Sequence, residues 1–178
     1  MPQIGQQVSP ESAKGRQVIG VTVIGIDPGA SGGISILNPH SSPGNPVVES
    51  LKMPETESDV WDVFRKSTSA VMFAVIEQLT GFVGEAVPSH TMFKLGRNYG
   101  MLRGMMVAGQ IPYELVTPQK WQKALGIPSR NKKENKVQWK NRLKEKAQQL
   151  FPKLKVTLAT ADSLLIMEYA RRRYKEIQ

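Results

Sequence analysis

The chain has 178 residues, enough for one domain with a proper hydrophobic core. It carries 24 Lys and Arg against 15 Asp and Glu, and this surplus of nine positive charges points to a polyanionic partner, nucleic acid first. It has no Cys, which excludes disulfides, thiolate metal sites and thiol catalysis; its only imidazoles, His40 and His90, are too few for a His-rich zinc site.

No apolar run approaches the roughly 20 residues of a membrane span. The first 18 residues are polar and lack the apolar stretch of a secretory signal. Residues 1–20 therefore read as a flexible tail, and 21–178 as a single domain of an intracellular, cytoplasmic protein.

In chain order, Val21 to Asp27 is a β-branched apolar run that stops at Pro28-Gly29, the pattern of a buried strand. Gly29 to Gly33 is a tight turn, and Ile34 to Leu37 returns as the second arm of a hairpin. Residues 38 to 46, rich in Pro, Ser, Asn and Gly, form a loop before a third strand at Val47 to Met53. Glu57 to Ser69 reads as a first helix with Val60, Trp61 and Phe64 on one face.

Val71 to Glu77 is a second buried run that ends on a carboxylate. A loop over Gly81 to Thr91 precedes a long helix over Phe93 to Gln110 and a short strand over Tyr113 to Val116. Thr117 and Pro118 fit the N-cap and first turn of a short helix. Lys132 to Leu150 reads as a basic helix ending before Pro152, and Thr160 caps a last amphipathic helix from Ala161 to about Tyr174. The order predicts an α/β domain: a mixed five-stranded sheet with helices packed on both faces around one core.

Three acids stand where chemistry is built. Asp27 and Glu77 end two buried strands, and parallel pairing of those strands brings them to one edge. Asp162, in the first turn of the last helix, can join from the side. Hard cations such as Mg²⁺ or Mn²⁺ prefer oxygen ligands. Two of them about 4 Å apart activate a water and stabilise the leaving oxygen of a phosphodiester, given three or four clustered carboxylates. Plainer readings exist: Asp before Pro-Gly is a common turn residue, and Asp in a helix's first turn offsets the macrodipole.

The segments Ile24-Gly25-Ile26-Asp27-Pro28-Gly29 with Gly32-Gly33, then Val75-Ile76-Glu77-Gln78, resemble the two acidic strands of RuvC-type Holliday junction resolvases. Phe93-Lys94-Leu95-Gly96 with Gly100, Thr117-Pro118-Gln119-Lys120-Trp121, and Ala161-Asp162-Ser163-Leu164-Leu165-Ile166 are similar to later segments of that family, in the same order. The resemblance implies an RNase H-like fold and a homodimer that holds a four-way DNA junction and nicks it symmetrically in recombination and repair. It also implies Mg²⁺ or Mn²⁺, two per active site, held by Asp27, Glu77 and Asp162 as catalytic and metal-binding acids, in the cytoplasm of a bacterium or a phage-infected host.

One departure is plain. The family carries a further Asp or His a few residues before its last Asp, where this chain has Thr157-Leu158-Ala159-Thr160. Glu168 is no substitute, because six residues along a helix is about 240° round from Asp162. A three-acid nuclease, an inactive substituted form and a junction binder that does not cut all remain open.

Residues 130 to 146 hold eight basic side chains, among them Arg130, Lys132, Lys133, Lys136 and Lys140, with Glu134 and Glu145 as the only acids. They read either as a solvated helix face or as a phosphate-contacting surface that Lys94, Arg97, Arg103, Lys120 and Lys123 extend. Phe82, in the loop after Glu77, lies near where the family places an aromatic wedge; it either stacks on a base at the crossover or pins the loop to the core. Gly96, Gly100, Gly104 and Ala108 recur every fourth residue, a smooth ridge that admits another backbone, either the domain's own sheet or a second subunit.

Rival functions are a junction-binding protein with an inactive site, an RNase H-like nuclease acting on RNA, and an actin-like ATPase. The last needs a duplicated domain and a second phosphate loop that this chain lacks.

Overall fold

The computed structural model describes residues 20–39, 47–67, 72–79 and 88–176. Strands β1 (Thr22–Asp27), β2 (Gly33–Asn38) and β3 (Val47–Lys52) precede helix α1 (Glu57–Lys66) and strand β4 (Met72–Glu77). Helix α2 (Ser89–Ala108), strand β5 (Tyr113–Val116), and helices α3 (Pro118–Ala124), α4 (Lys136–Leu150) and α5 (Ala161–Glu176) follow. The five strands form one sheet in the order β3-β2-β1-β4-β5. β1 and β2 are the expected antiparallel hairpin, and β4 lies parallel to both β1 and β5.

Side chains alternate across a strand, so each strand feeds two cores. Ile24, Ile26, Ala74 and Ile76 pack with Val60 and Phe64 of α1 and Leu102 and Met106 of α2. Val23, Phe73, Val75 and Val116 face the other way, onto Trp121, Leu143, Ala147 and the apolar side chains of α5. By the same alternation Asp27 and Glu77 fall on the α5 face.

α5 lies very close to the sheet because β1 carries Gly25 at its centre. A Cβ there would stand 2.1 Å from the Met167 amide nitrogen and 2.4 Å from the Ser163 carbonyl oxygen. Ser163 Oγ then meets Ser35 Oγ at 2.8 Å, and Ser35 Oγ meets Ser50 Oγ at 2.7 Å, a polar line from α5 across β2 to β3. All ten residues from Ala161 to Ala170 are buried, so the helix has almost no freedom to slide.

Several boundaries differ from the sequence expectations. α1 ends at Lys66, with Ser67 as its cap. α2 begins at Ser89, four residues early, from a Pro88 N-cap that offers no side-chain hydrogen bond. α4 begins at Lys136 and not Lys132, because Asn135 accepts from the Gln138 amide while the Gln138 side chain accepts from Asn135 N–H, a capping box. Thr117 does cap α3, accepting from the Lys120 amide, with Pro118 in the first turn. Thr160 directly precedes α5, but its hydroxyl accepts from the Thr157 amide and so closes the preceding turn.

No helix among the described residues is long and apolar enough to cross a membrane.

Candidate active site

Parallel pairing sets Ile26 opposite Ile76, so the next residues, Asp27 and Glu77, leave the carboxyl ends of adjacent strands side by side. That edge of an open α/β sheet is where ligands commonly bind. α5, seated on Gly25, brings Asp162 in from its first turn, with a side chain only 8% exposed. α3 contributes Trp121, whose fully buried Nε1–H donates to Glu77 Oε2 at 2.9 Å. α4 contributes Lys140, whose ammonium donates to Asp162 Oδ2.

The electrostatics show how close these groups are. Burial raises the Asp27 carboxyl to about 6, the negative charge of Asp162 adds to the rise, and Lys140 and the Gly29 amide oppose it. Burial also raises Glu77, to about 7; Asp27 and Asp162 push it up, while the Trp121 N–H and Lys140 hold it down. Lys140 is raised above the ordinary lysine range: desolvation works against its charge, and Asp162, Asp27 and Glu77 outweigh it. One ammonium thus faces three carboxylates.

The donor set is right in kind for a hard divalent cation. Asp162 Oδ1 is buried with no hydrogen-bond partner. Gly32 keeps the space beside Asp27 open, since a Cβ there would lie 2.7 Å from Asp27 Oδ2. Among the described residues, however, no three His, Cys, Asp or Glu side chains close round one point as a metal ion needs. Asp27, Glu77 and Asp162 share a site without converging on a single centre while Asp162 is held by Lys140.

Among the described residues, no acid near Asp162 takes the place of the missing fourth ligand. Thr157 to Thr160 is a turn whose two threonines bond each other, with Oγ1 atoms 3.1 Å apart. Its Ala159 carbonyl would lie 2.9 Å from a Cβ on Gly33, so the turn is pressed on the start of β2. Glu168 is buried elsewhere and gripped by Arg171 and Arg172 at 2.7 and 2.8 Å.

The expected phosphate-contacting cations divide into groups. Lys94, Lys123, Lys132, Lys133 and Lys136 are exposed. Arg97 pairs with Glu57 at 3.9 Å, Lys120 with Glu114 at 2.7 Å, and Arg130 Nε donates to the Glu134 carbonyl at 3.0 Å. Arg103 is exposed and lies over the Tyr99 ring. Lys140 is the correction: expected on the outer basic surface, it turns inward to Asp162, because Lys140, Leu143 and Ala147 share the face of α4 that packs on the domain. Phe82 lies outside the described residues.

Lys140 and Trp121 are site residues that the sequence reading did not place there. A third is Asn98 of α2, whose Nδ2–H donates to the Pro28 carbonyl at 2.6 Å and ties that helix to the turn after Asp27. Lys140 had a readable signal in its three- and seven-residue spacing to Leu143 and Ala147; the Trp121 and Asn98 contacts are purely tertiary.

The glycine ridge of α2 is also resolved. Among the described residues a Cβ on Gly96, Gly100 or Gly104 would meet nothing within 4 Å, so this face does not pack on the domain's own sheet. Phe93 and Val107 on the same helix are 72% and 68% exposed.

No family model matches the sequence, and no curated protein does. Solved structures do match in three dimensions. A Thermus thermophilus RuvC, solved in complex with a Holliday junction substrate, superposes with a TM-score of 0.57 at 15% identity, covering 88% of this chain and 96% of that one. A second Thermus thermophilus RuvC structure gives 0.55 at 16% identity with the same coverage. With its mixed five-stranded sheet, this chain therefore shares the RNase H-like α/β fold of the RuvC structures.

Proposed function

We propose that the protein is a structure-selective DNA endonuclease that resolves four-way junctions by metal-dependent hydrolysis, acting as a homodimer. The observation that carries this reading is the meeting of Asp27, Glu77 and Asp162 at one sheet edge, in a fold shared with a junction-bound RuvC. The exposed Lys132, Lys133 and Lys136 stand just before and at the start of α4, the helix that brings Lys140 to that edge, a suitable approach for a phosphate backbone.

Asp27, Glu77 and Asp162 would hold Mg²⁺ or Mn²⁺, whose chemistry is to activate a water and stabilise the leaving oxygen. The chain's own groups prepare that step. Trp121 fixes the Glu77 carboxylate with one N–H, donated to Oε2. Asn98 anchors the turn that carries Asp27. Burial among apolar strands keeps bulk water away and strengthens every charge interaction at the scissile phosphate.

Dimerisation through α2 is supported by its unpacked glycine ridge and by the exposed Phe93 and Val107. A second copy laid along this helix would cover both.

A second reading, junction binding without cleavage, draws on the Thr157–Thr160 turn with no ligand and on Asp162 held by Lys140. A synthetic four-way junction incubated with Mg²⁺, Mn²⁺ or EDTA separates the two. Metal-dependent nicks are expected. Salt-sensitive binding with no nicks in either metal would establish the second reading, and a preference for RNA hairpins would move the substrate to RNA.

A further inference from the structure

Lys140 is the one basic side chain of α4 that pairs with an acid of the candidate site. Its ammonium is held by Asp162 Oδ2, while Asp162 Oδ1 stays buried and unpartnered. The lysine side chain is 36% exposed against 8% for Asp162, so the cation can leave toward solvent whereas the carboxylate cannot. The three carboxylates do not close on a common centre while Lys140 keeps Asp162.

We propose that Lys140 is a resident cation of the site that competes with divalent metal for Asp162 in the DNA-free protein. This rests on the metal-site reading of Asp27, Glu77 and Asp162, and it adds a gate to that reading. In the metal-free state the ammonium neutralises part of a buried acidic cluster that would otherwise repel itself. When a divalent ion enters, Asp162 exchanges the ammonium for the metal and Lys140 swings outward along the α4 surface. Lys140 is then free to meet a DNA phosphate beside the site, which couples metal loading to substrate contact.

The test is Mn²⁺ binding to DNA-free protein, followed by calorimetry and by loss of the free-ion electron paramagnetic resonance signal. The wild type is compared with Lys140→Met, Lys140→Arg and, as a remote charge control, Lys153→Met. Lys140→Met should bind Mn²⁺ about tenfold more tightly than wild type, which corresponds to about 1.4 kcal/mol, while Lys140→Arg and Lys153→Met should stay close to wild type.

A Lys140→Met variant that binds no more tightly overturns the proposal. A measurement on the unaltered chain guards against a variant that does not fold. With lysine ¹³C-labelled at Cε, one resonance should move to the position of a solvated lysine as Mg²⁺ saturates the site; a Lys140 resonance that stays fixed through saturation overturns the proposal. Absence of divalent-ion binding in every protein would remove the metal reading and this inference together. Equal binding in wild type and Lys140→Met removes the inference alone.

Discussion

α5 and α2 lie on opposite faces of the same sheet and are almost opposite in character. Ten successive residues of α5 are buried, polar ones included, and a glycine in β1 lets its backbone touch the strand. α2 is longer, yet it buries only Leu102 and Met106 and leaves its glycines facing open space. A close seat fixes a helix to fractions of an ångström, which suits a helix that must deliver Asp162 to two strand ends. An open glycine face adds nothing to the fold of one chain and costs about 1 kcal/mol per Gly relative to Ala; a partner's backbone is what such a face can accept. Glycine on a regular element therefore makes a close contact at Gly25, and on α2 the same residue type is what the proposed dimer would use.

The sharpest way to break the contrast is at Gly25. Gly25→Ala places a methyl group against the Met167 backbone, so either α5 lifts or β1 bends. The expected loss is about 3 kcal/mol or more, a melting-point drop on the order of 10 °C in a domain of this size, read by thermal denaturation. An unchanged melting point would mean that α5 does not rest on Gly25. At Gly100 the expectation reverses: Gly100→Leu leaves a folded chain, since none of the described residues obstructs a Cβ there, but light scattering should report a monomer in place of a dimer. A dimer that survives Gly100→Leu would shift the interface away from this ridge.

Smaller effects sharpen the α5 side. Trp121→Phe removes the N–H that holds Glu77 in its ionised form. Cleavage should fall on the order of tenfold with junction binding retained, and the pH–rate profile should move to higher pH, because loss of the donor raises the Glu77 carboxyl further. A profile that keeps its position while the rate falls would make Trp121 a packing residue only.

The smallest effect is in stability against pH. Asp27 and Glu77 are raised in the folded chain to about 6 and about 7, so the unfolded chain releases these protons first. The stability linked to them is fully present below about pH 4 and is lost as pH rises through about 6 to 7. In EDTA the melting point should fall by a few degrees between pH 5 and 8, and added Mg²⁺ should recover it. A melting point that rises over that interval would contradict the burial of the pair.

The sheet was legible because its strands are apolar runs punctuated by Pro and Gly, and because two of them end on acids whose burial needs a reason. Asp27, Glu77 and Asp162 could be paired on paper once β1 and β4 were taken as parallel neighbours. Helix starts were less legible. α2 begins on Ser89-His90-Thr91, polar residues of modest helix propensity after a Pro without a capping side chain, so its first turn read as loop. In α4 the run of lysines drew the start toward Lys132, although Asn135 and Gln138 form the capping box. Lys140 went astray for a different reason: charge density suggested an outer face, whereas its spacing to Leu143 and Ala147 turns it inward. Contacts such as Trp121 to Glu77 and Asn98 to Pro28 join distant segments, and no local pattern announces them.

The central claim is that the carboxylates gathered by β1, β4 and α5 cut DNA. It is tested most directly by mapping nicks on an end-labelled four-way junction with wild type and Glu77→Gln, in Mg²⁺ and Mn²⁺. The account predicts paired nicks at symmetric positions on opposing strands for the wild type, none for Glu77→Gln, and nearly equal junction binding by both. Equal cleavage by the two proteins would contradict it, and loss of junction binding with Glu77→Gln would make Glu77 a structural residue.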